Sequence, residues 1–322
     1  MKTVPLGDTG TDVAAMCFGT MYFGTKQDEE TSRRLLDRYV EAGGTFLDTA
    51  NAYSHWVEGG HGGESESLLG RWMAERKNRD ELFIATKVAF AYPGTEDDPG
   101  VERGLSAAQI ESECEKSLKR MGIDTIDLYY AHHDDKATPL DESIEAFDRL
   151  VKAGKVRYIG ASNYVAWRLA DALNRSAANS WARFQCVQQK HTYLRPVHGV
   201  DVGVWPPAYP YFMDMCREKS LTVIAYSPLL KGAYVRDDRS VTGMYAGADS
   251  DARLAALKAV ADEKGVTANQ VVLAWMMHCD PVVIPLFATS SIEQLEEDLG
   301  ALDVALDEDD MKRLDEASGM QG

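Results

Sequence analysis

A chain of 322 residues with 45% hydrophobic and 26% charged side chains has an average soluble composition, and its length suits one α/β barrel or two modest domains. A net charge of −17 repels nucleic acid and anionic membrane, so neither is an expected partner, and a surface of that charge serves solubility. No apolar run approaches the ~18 residues of a membrane span, the opening "MKTVPLGDTG" has no secretory h-region, and five scattered cysteines without a CxxC pair predict reduced thiols in a cytoplasmic protein.

In chain order, "MKTVPLGDTGTDV" reads as a hairpin around a Gly-Asp-Thr-Gly turn, placed to plug a barrel floor. "AMCFG" (15–19) is the first short apolar run. A helical face of Leu35, Leu36, Tyr39 and Val40 follows and ends at Gly43. "TFLD" (45–48) and "LFIATK" (82–87) come next. Ser106-x-x-Gln109 reads as a capping box before Ile110, Cys114 and Leu118 at four-residue steps. After "IDLYYAH" (126–132), Thr138-Pro139 caps a helix bearing Ile144, Phe147 and Val151 and closed by Gly154. "VRYIGAS" (156–162) and "FQCVQQ" (184–189) precede a long Gly/Pro-rich loop, "RPVHGVDVGVWPPAYP" (195–210), of the kind that carries function in compact domains. "LTVIAYS" (221–227) and "PVVIPL" (281–286) complete the runs, and Ser291 starts a helix with Leu295 and Leu299 inward.

Eight short runs, apolar on both faces, predict buried parallel strands. Alternating with helices, they fit one (β/α)8 TIM barrel over residues 1–322, with an N-terminal hairpin and long rim loops. A doubly wound sheet usually needs a G-x-G-x-x-G turn after its first strand, and none is present. No linker, repeat or low-complexity segment interrupts the pattern.

Barrel active sites form where the strands end. Asp48, Lys87, His132, Ser162 with Asn163, Gln188 and Tyr226 end the second to seventh strands, so all should face one mouth. Singly, each has a structural explanation; their convergence on one rim marks the site.

"FLDTANAY", "IATK", "DLYYAH", "IGASN", "VQQ", "AYSPL" and "EQLEEDLGAL" match blocks of the aldo-keto reductases, in family order. The chain resembles that family from about residue 3 to 317. The resemblance implies a barrel that interconverts carbonyl and alcohol with a nicotinamide cofactor and no metal. The chemistry needs a hydride at carbon and a proton at oxygen. A phenol has an unperturbed pKa of ~10, and a nearby cation lowers it. Tyr53 is therefore expected to be the general acid (base in oxidation), Lys87 its cation, and Asp48 the carboxylate that aims Lys87. His132 would orient the substrate oxygen. These four match the family tetrad.

By the same resemblance, Gly19, Thr20 and Met21 lie along the cofactor. Ser162, Asn163 and Gln188 grip the carboxamide, and Tyr226 stacks on the ring. Ser227, Leu229, Lys231 and Gly232 of "SPLLKG" take the pyrophosphate. Thr289, Ser290, Ser291, Gln294, Glu297 and Asp298 form the adenosine end. Segment 288–298 holds no Lys or Arg for a 2′-phosphate, and Glu297 and Asp298 add negative charge. The residues thus favour NAD(H), while the family favours NADP(H); a helix N-terminus with two serines can still bind an anion. Tyr22, Phe23, Trp56, Phe90, His133 and Trp205 are the expected substrate lining, suited to a sugar or an aromatic aldehyde.

Two other classes compete. One is a cofactor-binding regulatory subunit of the same fold, disfavoured by the intact tetrad. The other is a metal-dependent barrel hydrolase, disfavoured because the first strand carries no ligand pair. His55, His61, Glu58 and Glu64 lack recognisable metal-ligand spacing. Substrate, direction and oligomeric state are not encoded in any motif.

Overall fold

A computed structural model describes residues 1–91, 102–236 and 238–318. Cys17–Gly19, Phe46–Asp48, Phe83–Val88, Ile126–Ala131, Val156–Ser162, Phe184–Lys190, Thr222–Tyr226 and Val283–Phe287 close a barrel. The strands run parallel in chain order, and Leu286 pairs with Cys17 to close the ring. These are the eight predicted runs. Cys17, Phe46, Leu128, Tyr130, Ile224 and Ile284 fill the interior, while Phe18, Leu47, Tyr129, Val223 and Val283 face the helices. Alternating side-chain directions on strands buried on both faces produce that division.

The floor is plugged as expected. Thr3–Pro5 pairs antiparallel with Asp12–Ala14, and Leu6, Val13 and Ala14 join the interior cluster. The Gly7 N–H donates to Thr222 Oγ1 at 2.7 Å. Gly7 has φ +55°, and a Cβ there would meet Gln185 O at 2.6 Å, so only glycine fits this approach.

Helix Glu29–Glu41 starts at Asp28, whose carboxylate accepts from Thr31 N–H, and it buries Leu35, Leu36 and Tyr39. The capping box expected at Ser106 forms by half. Ser106 Oγ accepts from Gln109 N–H at 3.3 Å, but the Gln109 amide nitrogen is buried without a partner. Thr138 does not cap its helix: its hydroxyl donates to Asp135 Oδ2 at 2.5 Å, and Pro139 is the N-cap without a side-chain bond. The long rim loop ends one residue earlier than read, because Pro210 opens helix Pro210–Glu218, where its missing N–H costs nothing. Helices Ala248–Lys264 and Ala268–His278 follow the seventh strand. No helix among the described residues is long and apolar enough to cross a membrane.

Candidate active site

Asp48 ends the second strand and Lys87 lies on the third; both are fully buried. Lys87 Nζ donates to Asp48 Oδ1, to Thr49 O at 2.7 Å and to the Tyr53 hydroxyl at 2.7 Å. All three ammonium hydrogens are used. Asp48 also accepts from Tyr53 at 3.3 Å through Oδ1 and from Gln188 Nε2 at 2.8 Å through Oδ2. A buried ion pair needs such additional bonds to offset its desolvation.

Residues 49–52 turn the chain so that Tyr53 returns over the rim. Thr49 Oγ1 donates to Ser65 Oγ at 2.8 Å, and Ser65 Oγ donates to Thr20 O at 2.8 Å. Asn51 Nδ2 donates to Phe90 O at 2.5 Å and to Glu113 Oε2 at 2.7 Å. A strand that delivers an aspartate and then, five residues on, a tyrosine thus brings a carboxylate and a phenol onto one buried ammonium.

Burial, and next the Asp48 charge, hold the Tyr53 phenol well above its ordinary pKa. The direction is opposite to the downward shift expected from Lys87. Burial lowers the Lys87 ammonium, against the opposing pull of Asp48. His132 follows the fourth strand, its N–H donating to Val88 O at 2.8 Å. Its ring stands edge-on to Tyr53 (centroids 5.8 Å) and Phe90 (5.5 Å). Burial, Lys87 and His133 push its pKa well below the ordinary histidine value, so at neutral pH it is an imidazole with one donor and one acceptor. Its Nδ1 is buried and unpartnered.

Beside this cluster, Asn163 sits in the left-handed region at φ 60°. Its amide nitrogen donates to His132 O at 3.0 Å and Ser162 Oγ at 2.9 Å, and its oxygen accepts from Tyr226 at 2.8 Å. The next loop carries three successive left-handed residues, Leu230, Lys231 and Gly232. Ser227 and Lys231 are exposed there, and Leu229 is half-buried. On the first strand's rim, the Thr20 hydroxyl donates to Asp48 O at 3.0 Å, Met21 O accepts from Ser54, and Gly19 is buried.

At the far end, Thr289 is buried and its hydroxyl has no partner. Ser291 caps helix Ile292–Leu299. Gln294 Oε1 folds back to accept from Ser290 N–H at 2.8 Å and Ser290 Oγ at 3.0 Å. Glu297 is occupied by Thr267 at 2.8 Å and Asn269 at 3.4 Å. Asp298 is buried, and burial with the Glu297 charge raises it to about 7. Its negative charge is therefore partly lost near neutrality, which weakens the expected acidity of this end.

Phe90, whose ring meets His132, and Tyr22 are both half-buried. His133 stands edge-on to Trp205 at 5.8 Å, joining two expected lining residues across loops. Trp56 pairs with His55 at 4.9 Å and remains 52% exposed, on the outer edge. Phe23 does not line the mouth: it is 1% exposed and packs on Phe18 outside the barrel. Among the described residues, no group of three His, Cys, Asp or Glu side chains is placed to hold a metal ion.

The family model described as "Aldo/keto reductase family" matches residues 15–318. The chain belongs to the aldo-keto reductases. Among relatives, the chain is 34% identical over 324 residues to an uncharacterized oxidoreductase, YrpG, of Bacillus subtilis, covering 98% of this chain and 95% of that one. It is 33% identical to the norsolorinic acid reductase stcV of Emericella nidulans, over 95% of this chain and 79% of the relative. A solved thermostable aldo-keto reductase, Tm1743, in complex with the inhibitor epalrestat superposes with TM-score 0.76 at 26% identity, covering 99% of this chain and all of that one.

Two features of this aldo-keto reductase escaped sequence reading. Asn51 lies inside the "FLDTANAY" block, between Asp48 and Tyr53, and its position alone was a signal. Lys190 lies two residues past Gln188 on the same strand face. It is half-buried, contacts Met244 Sδ at 3.7 Å, and is lowered by burial and by Lys231.

Proposed function

We propose that this chain reduces a small-molecule carbonyl to the alcohol, reversibly, with a nicotinamide cofactor, and that Asp48, Tyr53, Lys87 and His132 carry the chemistry. The observation behind this is a phenol at the barrel mouth whose oxygen already accepts a hydrogen bond from a buried ammonium at 2.7 Å. The bound nicotinamide supplies the hydride to the carbonyl carbon. Tyr53 gives its proton to the carbonyl oxygen as the carbon–oxygen π bond breaks. The phenolate left behind is stabilised by the Lys87 bond, which strengthens as its acceptor becomes charged. Asp48 keeps Lys87 aimed. Neutral His132 donates to the substrate oxygen and orients it.

The residues fit the cofactor. Ser162, Asn163 and Gln188 present amide and hydroxyl groups beside the tetrad, and Tyr226 offers a half-buried aromatic face. The loop at Ser227, Leu229, Lys231 and Gly232 supplies a cation. Thr289 holds an unmatched buried hydroxyl at the adenosine end, with Ser290, Ser291 and Gln294 around it. Segment 288–298 has no cation of its own, which supports NADH as a working cofactor. Phe90, Tyr22, His133 and Trp205 favour a substrate with a flat face, an aryl carbonyl or a sugar; a relative named as a reductase supports that direction. Five free thiols, four of them buried, fit a cytoplasmic location.

The test is fluorescence titration with NADH and NADPH, then a panel of aldehydes, aryl ketones and sugars with the tighter cofactor. Oxidation or reduction of at least one class is expected. Tight cofactor binding without turnover refutes the reductase reading and leaves a cofactor-binding subunit.

A further inference from the structure

The backbone bonds on both sides of Tyr53's approach are long. Asn51 N–H to Lys87 O and Tyr53 N–H to Ala50 O are each 3.4 Å. Between these two long bonds, short ties are made by the Asn51 side chain. Asn51 is 3% exposed, and its amide nitrogen bonds Phe90 O at 2.5 Å and Glu113 Oε2 at 2.7 Å. Glu113 comes from helix Ala107–Met121 and is itself buried; its other oxygen accepts from Lys116 at 2.7 Å. Phe90 lies two residues beyond the third strand, and its ring meets His132. One amide therefore joins the loop carrying the phenol, the wall facing His132 and the helix behind both. The bond to Glu113 has a carboxylate acceptor, the stronger kind.

Satisfying buried polar groups would explain these bonds as packing alone. The position of the tie argues for more. It is two residues from a phenol that must stay at 2.7 Å from Lys87 and 3.3 Å from Asp48, and a misplacement of ~1 Å at a reacting group costs about a hundredfold in rate.

We propose that Asn51, braced by Glu113, is a positioning residue that holds the Tyr53 phenol on Lys87 and the Phe90 wall against His132, so that proton donor and substrate wall are set by one side chain. This rests on the reductase reading of the same site. Asn51→Ala is expected to lower kcat, counted per NAD(P)H-binding site, about ten- to a hundredfold, while cofactor affinity is kept. In a Tyr53→Phe background the same substitution is expected to add less than about twofold, since residues acting as a unit are not additive. Asn51→Asp sets two buried carboxylates face to face, which cannot both ionise. Its activity should fall as pH rises, and Glu113→Gln in that background should remove the dependence. A crystal structure of Asn51→Ala should show the Tyr53 oxygen withdrawn from Lys87. Unchanged kcat per site, an equal loss in the Tyr53→Phe background, or an undisplaced phenol overturns the proposal. Wild-type protein that binds cofactor and turns over nothing refutes the reductase reading instead, and the phenol's position in the variant then decides this one.

Discussion

Lys87→Met removes the cation that is fully buried against Asp48. Methionine keeps the length and apolar stem but gives up three donated bonds, to Asp48, Thr49 O and Tyr53. Asp48 is left with Gln188 and the longer Tyr53 bond as partners. Removing one partner of a buried pair typically costs about 3–5 kcal/mol, because the other charge stays buried and uncompensated. With the usual unfolding entropy per residue over 322 residues, that is a fall of roughly 4–7 °C in Tm. Turnover should collapse with it, since the developing phenolate loses its counter-charge. Residual oxidation, which needs phenolate, should shift to higher pH because Tyr53, already raised by burial and Asp48, loses its opposing cation. Asp48→Asn added to Lys87→Met should recover part of the stability but none of the turnover. Urea unfolding at fixed pH and a pH–rate profile in the oxidative direction measure both effects. A single variant within about 1 kcal/mol of wild type, or a double variant no more stable than the single, refutes the buried-pair argument. An unmoved pH profile refutes the role of Lys87 at the phenol.

Tyr53→Phe should lose about 10²–10⁴-fold in reduction with cofactor affinity intact; turnover like wild type removes Tyr53 from the mechanism. NADH should bind at least as well as NADPH, and Gln294→Arg should shift preference towards NADPH. Gln294 already leans onto Ser290, and a charge-assisted bond there is worth about 1.5–3 kcal/mol; a tenfold wild-type preference for NADPH in titration would refute this reading of the adenosine end. His191 stacks on Trp275, and burial lowers it from 6.5 to about 4. Between those pH values the unfolded chain takes a proton that the folded chain refuses, so stability is complete above pH 6.5 and declines towards pH 4 by up to about 3 kcal/mol. His191→Phe should flatten that decline in acid-unfolding curves, less the share owed to His132; an unchanged slope rules His191 out.

The barrel was legible because each strand is buried on both faces and so reads as a short continuous apolar run. The proposed tetrad could be nominated because Asp48, Lys87 and His132 end such runs, where a polar residue has few places to point, and the family resemblance added Tyr53. What was not legible depended on distant partners. Asn51 meets Glu113 across 62 residues, and nothing in either neighbourhood announces the other. Phe23 follows Tyr22 directly, yet the turn sends it into the outer core beside Phe18. Helix Ala268–His278 buries Val271 through Met276 all round, so it shows no amphipathic stripe to read. The rise in the Tyr53 pKa was missed because a sequence shows the cation's presence but not how little water surrounds the phenol.

Gln188 spends its amide nitrogen on Asp48, and that has a consequence for anyone redesigning this enzyme. The side chain assigned to the cofactor's reactive end is also a ligand of the carboxylate that aims Lys87. On the proposed reading, altering it would perturb hydride placement and proton supply together, and the two losses could not be told apart by rate alone. Ser290 and Gln294 bond each other and no member of the tetrad. On the same reading, changes of cofactor preference would be separable from the chemistry at that end and inseparable from it at the other.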